Sequence, residues 1–397
     1  MNIKSLNILY HHRTQGRGAE GVHISSIVRA LEMLGHRVTV LSPPGIDPLD
    51  NAGNAPVDKS DVKTSGINSI WKFISNHIPG FLFELLEIVY NIPASRRLES
   101  ELSSGQYDLI YERYAFYMIA GAIKAKKYKI PLVLEANEVN GIKDRARKQS
   151  FPALCSNFER FLFKRCTSIH TVSSYLKNMI KAQGVEGNKI IVTPNAINAD
   201  KFCSEINSSE LVDLYNLKGK TVIGFAGWFD DWDRLDLLFD VFCDLKQTYH
   251  NLVLLLVGDG AVLKELRSKI EEQGMEDDVI LTGAVDRSHV QQYLSLLDIA
   301  VITHSNEFGS PVVMFEFMGL KVPVVAPRLL PVTDVLMDKK DALIFDVLDM
   351  NDLTNKIRML LDNSDLRSDL AVSAFTKLMA DHTWEKNAED IVISSGL

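Results

Sequence analysis

Apolar residues at the start of this chain follow two patterns, one typical of a short buried strand and the other of an amphipathic helix. A strand is predicted near Leu6–Tyr10, and apolar residues spaced by three and four positions then predict a helix over Val22–Leu34. Gly35 ends this helix, and Arg37–Leu41 is predicted as a second strand. The order strand, helix, strand indicates a β-α-β unit opening an α/β domain.

The same alternation continues on both sides of the sequence Pro194-Asn195-Ala196, which we interpret as a hinge. Two series of β-α units joined by a hinge predict two doubly wound parallel sheets facing a cleft, with ligands at the loops beyond the carboxyl ends of the strands. The predicted domains are residues 1–190 and 191–375. The further predicted elements are strands Leu109–Tyr111, Leu132–Glu135, Ser168–Val172 and Ile190–Thr193, then strand Thr221–Phe225, helix Leu235–Lys246, strand Leu252–Val257, helix Leu263–Glu272, strand Val279–Leu281, helix Val290–Leu296, strand Ile299–Ile302, helix Val312–Met318, strand Val322–Ala326, helix Leu353–Asp362 and a last helix after His382.

Composition narrows the class of protein. A length of 397 residues leaves room for two domains, and 46% hydrophobic with 24% charged residues is ordinary for a soluble globular protein. The four cysteines form no C-x-x-C pair, so neither a disulfide scaffold nor a zinc ribbon is expected. The start of the chain lacks a leader pattern, and the longest apolar stretch, Phe81–Ile92, is shorter than the roughly 20 residues of a spanning helix. We therefore expect a cytoplasmic protein.

Charge is divided unevenly along the chain. The net charge is -8, but residues 1–190 carry 25 basic and 17 acidic residues, which is +8, and the remainder carries -16. Two interpretations stay open: a basic half that faces anionic lipid or a phosphorylated acceptor, or surface drift with no partner. Nucleic acid is not an expected partner, because no helix-turn-helix, zinc-finger or RNA-binding motif is present.

An apolar series follows a segment, Pro43–Ser69, that is rich in loop-forming residues. We interpret this series as a helix of the domain core. The alternative is a contact with the inner face of a membrane, which would suit an acceptor on a lipid carrier. The residues of the series are Trp71, Phe73, Ile74, Ile78, Phe81, Leu82, Phe83, Leu85 and Leu86.

Three loops of the C-terminal half have the composition of a phosphate site. Gly224–Gly227 and Gly258–Gly260 each follow a predicted strand, and Glu307–Pro311 precedes a predicted helix. Glycine at a helix start lets backbone N–H groups approach a phosphate, and the helix dipole favours the negative charge. Glu316 lies within an apolar helical stretch, where a carboxylate needs a partner. That partner is either a backbone or arginine group or, as we favour, the two hydroxyls of a ribose.

These segments, taken in order, resemble the family 4 retaining glycosyltransferases of the GT-B fold over nearly the full length of the chain. The resemblance implies two Rossmann-like domains, with the acceptor bound by the first domain, a nucleotide-sugar donor bound by the second, and residues 376–397 packing back on the first. The matching segments are GRGAEGVHISSIVRALEMLGHRVTVLSP, DLIYERYAFYMIAGAIKAKKYKIPLVLEAN, IIVTPNAINADKF, LLLVGDG with DDVILTGAV, GSPVVMFEFMGLKVPVVAP and TWEKNAEDIV.

Site residues follow from the resemblance, position by position. It implies that Glu316 holds the ribose and that Gly18 lies close to the transferred sugar. Family chemistry is transfer with retention, in which the leaving diphosphate assists deprotonation of the acceptor hydroxyl, so the protein mainly stabilises charge on phosphate. The other donor-side candidates are Gly227, Arg234, Gly258, Gly260, Gly309 and Ser310, and the catalytic candidates are Arg113, Asn137, Glu307 and His23, the last equally interpretable as a packed core histidine.

The sequence departs from the family pattern where phosphate is bound. Relatives place Arg or Lys after G-x-x-G and Lys in S-P-x-K, whereas this chain has Asp230 and Val313. Three explanations stay open. Arg234 or Lys321 reaches the phosphates from a shifted position, a divalent metal bridges the acidic loop to the diphosphate, or the chain is a degenerate member. Because the GT-B fold generally works without bound metal, no cofactor is expected.

The sequence therefore predicts an enzyme, a glycosyltransferase of hexosyltransferase type. It would move a sugar from a nucleotide-diphosphate donor to a glycan, lipid-linked or small-molecule acceptor. The alternatives are a GT-B protein with an unusual or metal-assisted donor site and a non-catalytic partner subunit.

Overall fold

The computed structural model of the protein describes residues 5–14, 18–49, 79–142, 149–198, 202 and 206–397. The chain divides into two compact units, the first made of Met1–Thr193 with Trp384–Leu397 and the second of Pro194–Thr383. The first boundary falls at the Pro-Asn-Ala sequence. The second falls just before the last helix, because the helix ahead of it packs within the second unit.

The first unit alternates strands and helices along the chain. Buried strands lie at its centre, and β3 and β4 are buried at every position, as expected for strands covered on both faces. Its elements in chain order are β1 (Asn7–His11), α1 (Gly18–Met33), β2 (Arg37–Leu41), α2 (Gly80–Val89), α3 (Asn91–Ser104), β3 (Leu109–Arg113), α4 (Ala120–Tyr128), β4 (Leu132–Ala136), α5 (Pro152–Phe163), β5 (Ser168–Thr171), α6 (Ser174–Ala182) and β6 (Ile190–Val192).

The second unit repeats this plan. The last helix of the chain, α15 (Trp384–Ser394), belongs to the first unit, where it packs against α1. The elements of the second unit are α7 (Ser209–Leu214), β7 (Thr221–Trp228), α8 (Leu235–Lys246), β8 (Leu252–Asp259), α9 (Leu263–Glu272), β9 (Val279–Leu281), α10 (Val290–Leu294), β10 (Ile299–Val301), α11 (Val312–Gly319), β11 (Val324–Pro327), α12 (Leu330–Thr333), β12 (Leu343–Phe345), α13 (Met350–Asp362) and α14 (Ser364–Asp381).

Each unit contains one parallel sheet of six strands among the described residues. The orders are β2-β1-β3-β4-β5-β6 and β12-β11-β10-β7-β8-β9. Both orders reverse direction within the sheet, as in doubly wound folds. Because every strand pair is parallel, the carboxyl ends of all strands of a sheet meet at one edge. The predicted α/β class with two Rossmann-like domains is confirmed.

Four elements of the second unit were not predicted, the short helices α7 and α12, the strand β12 and the helix α14. Strand β12 has only three residues, too few to show a period. Helix α14 buries Ala371 and Ala374 on its inner face, whereas Val372 and Met379 are exposed. Its hydrophobic residues therefore do not mark a single helical face. Short strands, short helices and alanine-lined helices give weak hydrophobic signals, which explains these omissions.

The interpretation of the early apolar series as core is wrong for four of its five described members, while Phe83 is half-buried. Phe81, Leu82, Leu85 and Leu86, all on α2, are exposed, with relative exposures of 40–45%. The helix turns a carboxylate, Glu84, towards the interior instead. Trp71, Phe73, Ile74, Ile78 and the predicted loop beyond residue 49 lie outside the described residues. The described helices include none that combines enough length and hydrophobicity to span a membrane.

Candidate active site

Glu135 is the centre of a buried polar cluster at the carboxyl edge of the first sheet. Its carboxylate accepts hydrogen bonds from the hydroxyls of Tyr10, at 3.2 Å, and Tyr111, at 2.9 Å. The Arg113 guanidinium forms an ion pair with the same carboxylate, and the Asn137 side-chain amide donates to it. Four donors on one buried carboxylate leave it ionised and fixed in place.

Strand geometry assembles this cluster. Side chains alternate between the two faces of a strand, so Tyr10 on β1, Tyr111 and Arg113 on β3, and Glu135 on β4 share one face. The register pairs Tyr10 with Tyr111 and Arg113 with Glu135 across neighbouring strands. The register of these neighbouring strands thus places opposite charges side by side.

Helix α1 contributes His23 to the same cluster. Its Nδ1 lies 3.3 Å from Arg113 Nη1 and 3.5 Å from a Glu135 oxygen, and its ring packs edge-on against Trp384 at 4.8 Å between centroids. The structure therefore brings together three predicted residues, His23, Arg113 and Asn137. Gly18 is the first residue of α1.

Sequence reasoning missed Glu135, the residue that joins these three. The signal was present, because a carboxylate within the apolar run Leu132–Ala136 needs a buried partner, and so does the arginine that ends β3. Periodicity alone does not show that these two charges face each other.

Electrostatics fix the charge states of the cluster near neutral pH. Burial by itself raises the pKa of Glu135, but the Arg113 charge, His23 and the hydrogen bonds outweigh it and lower the pKa to about 2. Burial lowers the pKa of His23 to about 4, with Glu135 opposing part of that effect. The cluster is therefore an Arg113–Glu135 ion pair beside a neutral imidazole, and His23 is a weak base.

A cavity of about 20 Å³ adjoins the cluster in the first unit. His23, Glu135, Asn137, His170 and Trp384 are among the residues that line it. The volume is that of a single water molecule. The buried Asn137 Oδ1 has no hydrogen-bond partner among the described residues, so a polar ligand atom or water would satisfy it.

The loop between β10 and α11, in the second unit, holds two of the donor-side candidates, Gly309 and Ser310, and the catalytic candidate Glu307. Glu307 is exposed, and the Gly309 N–H donates to Asn306 Oδ1 at 2.5 Å. Ser310 is buried, and its hydroxyl and carbonyl accept hydrogen bonds from Asn195 at 3.1 and 2.7 Å. The hinge sequence is thereby bonded to the loop that leads into α11.

Glu316 points into the second unit with 3% of its surface exposed and forms an ion pair with Arg287. The guanidinium also lies over the Phe202 ring, 5.7 Å from its centroid. Of the partners considered from the sequence, the structure places an arginine there. Arg287, which lies two residues beyond the DDVILTGAV segment, was not predicted as this partner. The sequence shows that Glu316 needs a partner, but it does not show which arginine the fold brings close to it.

The acidic loop after β7 is closed by its own hydrogen bonds. Asp230 and Asp233 cap each other's backbone across a short 3-10 turn, and Asp233 Oδ2 accepts the Asp230 N–H at 3.0 Å. Burial raises the pKa of Asp233 to about 7. The next residue, Arg234, forms two hydrogen bonds to Asp236 at 2.8 and 2.9 Å. Within the described residues no group of three or more His, Cys, Asp or Glu side chains could hold a metal ion.

Lys321 does not lie beside the loop that contains Gly309 and Ser310, as a shifted phosphate cation would have to. It follows the carboxyl end of α11, and its ammonium group lies over the Phe375 ring at 4.6 Å. The loop that contains Gly309 and Ser310 precedes the opposite end of this eight-residue helix, roughly 12 Å away. Of the two residues considered as a shifted phosphate cation, Arg234 therefore stays the candidate.

Gly258 and Gly260 have a packing role at the ends of β7 and β8. A Cβ on Gly258 would collide with the Gly227 carbonyl oxygen, and one on Gly260 would collide with the Phe229 backbone. Their N–H groups donate to Thr282 Oγ1 at 3.2 Å and Asp259 Oδ1 at 2.7 Å. The close approach of the two strands thus requires these glycines.

Two doubly wound parallel sheets with a returning C-terminal helix define the GT-B class of proteins. Two family models match the chain, Glycosyltransferase Family 4 over residues 20–201 and Glycosyl transferases group 1 over residues 212–376. Together the matches span most of the sequence. The protein belongs to the family 4 glycosyltransferases and is a glycosyltransferase.

Relatives and solved structures agree with this assignment. An uncharacterized glycosyltransferase of Methanocaldococcus jannaschii is 27% identical over 75% of this chain and 78% of its own length. A D-inositol 3-phosphate glycosyltransferase of Jonesia denitrificans is 22% identical over 80% of this chain and 76% of its own length. The crystal structure of HepE from Anabaena in complex with UDP has a TM-score of 0.69 at 15% identity, covering 98% of this chain and 100% of HepE. At that identity HepE shows a shared fold.

Proposed function

We propose that the protein is a retaining glycosyltransferase that moves a sugar from a nucleotide-diphosphate donor to a hydroxyl group of a glycan, lipid-linked or small-molecule acceptor. The observation that carries the proposal is the buried Glu316 beside the loop that contains Gly309 and Ser310. A buried carboxylate next to a glycine loop at a helix start combines an acceptor for ribose hydroxyls with donors for phosphate.

Each donor group has a matching residue. Glu316 accepts the ribose hydroxyls, and Arg287 holds its carboxylate in position through their ion pair. The first-turn N–H groups of α11 and the Gly227 backbone face the diphosphate, and Arg234 supplies positive charge. The complex of HepE with UDP supports UDP as the first nucleotide to test.

The reaction needs little acid-base chemistry from side chains. The bond between the sugar C1 and the diphosphate oxygen breaks, a bond from the acceptor oxygen to C1 forms on the same face, and the acceptor proton passes to the departing phosphate oxygen. Stabilising charge on the diphosphate is therefore the main task of the second unit. In the first unit, Asn137 Oδ1, which has no partner among the described residues, accepts a hydrogen bond from a hydroxyl of the acceptor or the transferred sugar, and Arg113 holds Glu135, to which the Asn137 amide donates.

Calorimetric titration with UDP, GDP, ADP, TDP and CMP, each with and without magnesium, tests the donor assignment. We expect one diphosphate to bind, with Glu316→Ala weakening it and its nucleoside to the same extent. Magnesium-dependent binding would favour the metal-assisted alternative. No binding across the panel would contradict a donor site and favour the non-catalytic partner subunit.

A further inference from the structure

An open cavity of about 330 Å³ lies at the amino edge of the second sheet. Leu297 and Asp298 immediately precede β10 and Pro323 immediately precedes β11, and these two strands are parallel neighbours. The rest of the lining consists of Lys321 and side chains from the start of α14, so we call this space the α14 cavity. Ligands of doubly wound sheets bind at the carboxyl edge, so the α14 cavity is separate from the candidate donor site. Its volume is that of a small-molecule pocket.

Arg367 is the first of two cations that line the α14 cavity. Its Nη1 group donates to the carbonyl oxygens of Leu360 and Leu361, at 2.5 and 3.3 Å, which fixes the guanidinium beside the end of α13. Its Nε and Nη2 groups have no hydrogen-bond partner in the part of the chain that the structure describes. A guanidinium carries N–H donors on all three nitrogens, so Arg367 is held in place with donors to spare for an anion.

Lys321 is the second cation, and it occupies a backbone conformation that favours glycine. Its φ is 55°, in the left-handed region, where a Cβ is unfavourable. Glycine would fit this turn with less strain, so the local fold does not require the lysine side chain. The ammonium lies over the Phe375 ring on α14, 4.6 Å from the centroid, which orients the charge. It forms no ion pair with a carboxylate of the described residues.

One carboxylate and two hydroxyls supply the other polar groups of the lining. Asp298 Oδ2 accepts the Val222 N–H at 2.8 Å, which leaves the second carboxylate oxygen as an acceptor. Ser364 and Ser368 add hydroxyl groups that both donate and accept. A phosphate alone would be attracted by the two cations and repelled by Asp298. A molecule that carries both a phosphate and hydroxyl groups satisfies every polar group of the lining.

Charge and size argue against larger anions as occupants. Residues 191–397 carry a net charge of -16, which repels a polyanion such as a nucleic acid at long range. Binding of an anion here therefore depends on the local cations of the α14 cavity. A cavity of about 330 Å³ holds a small molecule and not a polymer.

We propose that the α14 cavity is a second small-molecule site, which binds a phosphate ester of a polyol, such as a sugar phosphate. Lys321 and Arg367 bind the phosphate, and Asp298 accepts hydrogen bonds from the hydroxyl groups of the ligand. The proposal goes beyond the proposed transferase function, because this site lies at the opposite edge of the sheet from the donor site. Failure of nucleotide binding would leave it untouched.

The test is calorimetric titration of the full chain with glucose 6-phosphate, inorganic phosphate and glucose. Glucose 6-phosphate should bind once per chain and more tightly than inorganic phosphate or glucose. An excess of UDP should not displace it, because the two sites are separate. Higher salt should weaken the binding, because two cations contribute to it.

Lys321→Gly removes the ammonium and relieves the backbone strain. It should raise the Kd of glucose 6-phosphate about tenfold or more without lowering the melting temperature. Lys321→Gln keeps the strain and should weaken binding to a similar extent, which separates the charge from the backbone. Lys339→Gly is the matched control. Lys339 is an exposed lysine of the same unit with φ 60° that does not line the α14 cavity, so this variant should bind like the unaltered protein.

Four results would overturn the proposal. Unaltered protein that does not bind glucose 6-phosphate has no such site, and unchanged binding by Lys321→Gly would remove the α14 cavity as its location. Displacement by UDP would assign the binding to the donor site. Inorganic phosphate that binds as tightly as glucose 6-phosphate would refute the recognition of hydroxyl groups. Weaker binding by both Lys321 variants, with native binding by Lys339→Gly, supports the proposal.

Discussion

Replacing Glu135 by glutamine tests the polar cluster of the first unit. The change preserves side-chain size and removes the negative charge opposite the Arg113 guanidinium. Tyr10 and Tyr111 keep an oxygen to which they can donate. The exposed fractions of the Glu135 and Arg113 side chains are 5% and 11%, so water does little to compensate for the lost charge. The expected effect is therefore mainly electrostatic.

The size of the effect follows from two arguments. Arg113 and the other donors overcome the cost of burial and lower the pKa of Glu135 from 4.5 to about 2. At ~1.36 kcal/mol for each pH unit, this difference corresponds to roughly 3 kcal/mol of stabilisation. Removing one partner of a buried ion pair costs about 3–5 kcal/mol because the other charge stays buried. We expect Glu135→Gln to lower the free energy of unfolding by roughly 3–5 kcal/mol.

The pH dependence has a definite sign. Because the pKa of Glu135 is lower in the folded state, its stabilisation is present above pH 4.5 and is lost as the pH falls towards 2. The deficit of Glu135→Gln should therefore be largest near neutral pH and shrink in acid.

Urea unfolding followed by circular dichroism measures the free energy of unfolding. The proteins to compare are the unaltered protein, Glu135→Gln, Arg113→Met and the double variant. The double variant should lose less than the sum of the single changes, because it leaves no unpaired buried charge. Tyr111→Phe is the matched control and should cost about 1.5–3 kcal/mol, since it removes one hydrogen bond to a charged group. A Glu135→Gln loss below ~1 kcal/mol, or strictly additive changes, would refute the ion-pair argument.

Three further predictions concern other parts of the molecule. In calorimetry, Arg234→Ala should raise the Kd of a nucleoside diphosphate by a much larger factor than the Kd of the matching nucleoside. Equal factors would show that Arg234 is not part of the phosphate site. Burial lowers the pKa of His170 from 6.5 to about 4, so stability should fall as the pH drops through that window, and His170→Gln should flatten the urea-unfolding profile there. Gly258→Ala, at φ 141° and against the Gly227 carbonyl, should cost about 2–4 kcal/mol in thermal unfolding, whereas Gly274→Ala, with open space around it, should cost only about 1 kcal/mol.

The order of elements could be predicted from the sequence because long amphipathic helices and buried strands leave periodic signals. Strands such as Leu252–Asp259 and helices such as Leu235–Lys246 were found close to their observed bounds. The orientation of α2 was not predicted. Its apolar residues follow a helical period whichever way they face, and only the hydrogen bonds to Glu84 decide the matter.

For the candidate site, too, some residues could be predicted from the sequence, but the partners that they contact could not. A carboxylate within an apolar run can be identified from the sequence as a group that needs a partner, and Glu316 was identified in this way. Its partner Arg287 comes from a loop 29 positions earlier in the chain, and Arg113 and Glu135 are 22 positions apart on neighbouring strands. Such pairs depend on strand order and register, which a single sequence does not encode locally.

Two arginines of the second unit, Arg234 and Arg287, differ in how easily a diphosphate can recruit them. Arg287 holds a carboxylate that is 4% exposed, so moving the guanidinium away would leave a buried charge unpaired at a cost of about 3–5 kcal/mol. Arg234 holds Asp236, whose side chain is 53% exposed, and an exposed pair of this kind stabilises by only about 0–1 kcal/mol. A phosphate can exchange for Asp236 at little cost and cannot exchange for Glu316. We therefore expect Arg287 to stay with Glu316 and orient it, while Arg234 supplies the mobile cation in place of the basic residues that Asp230 and Val313 replace.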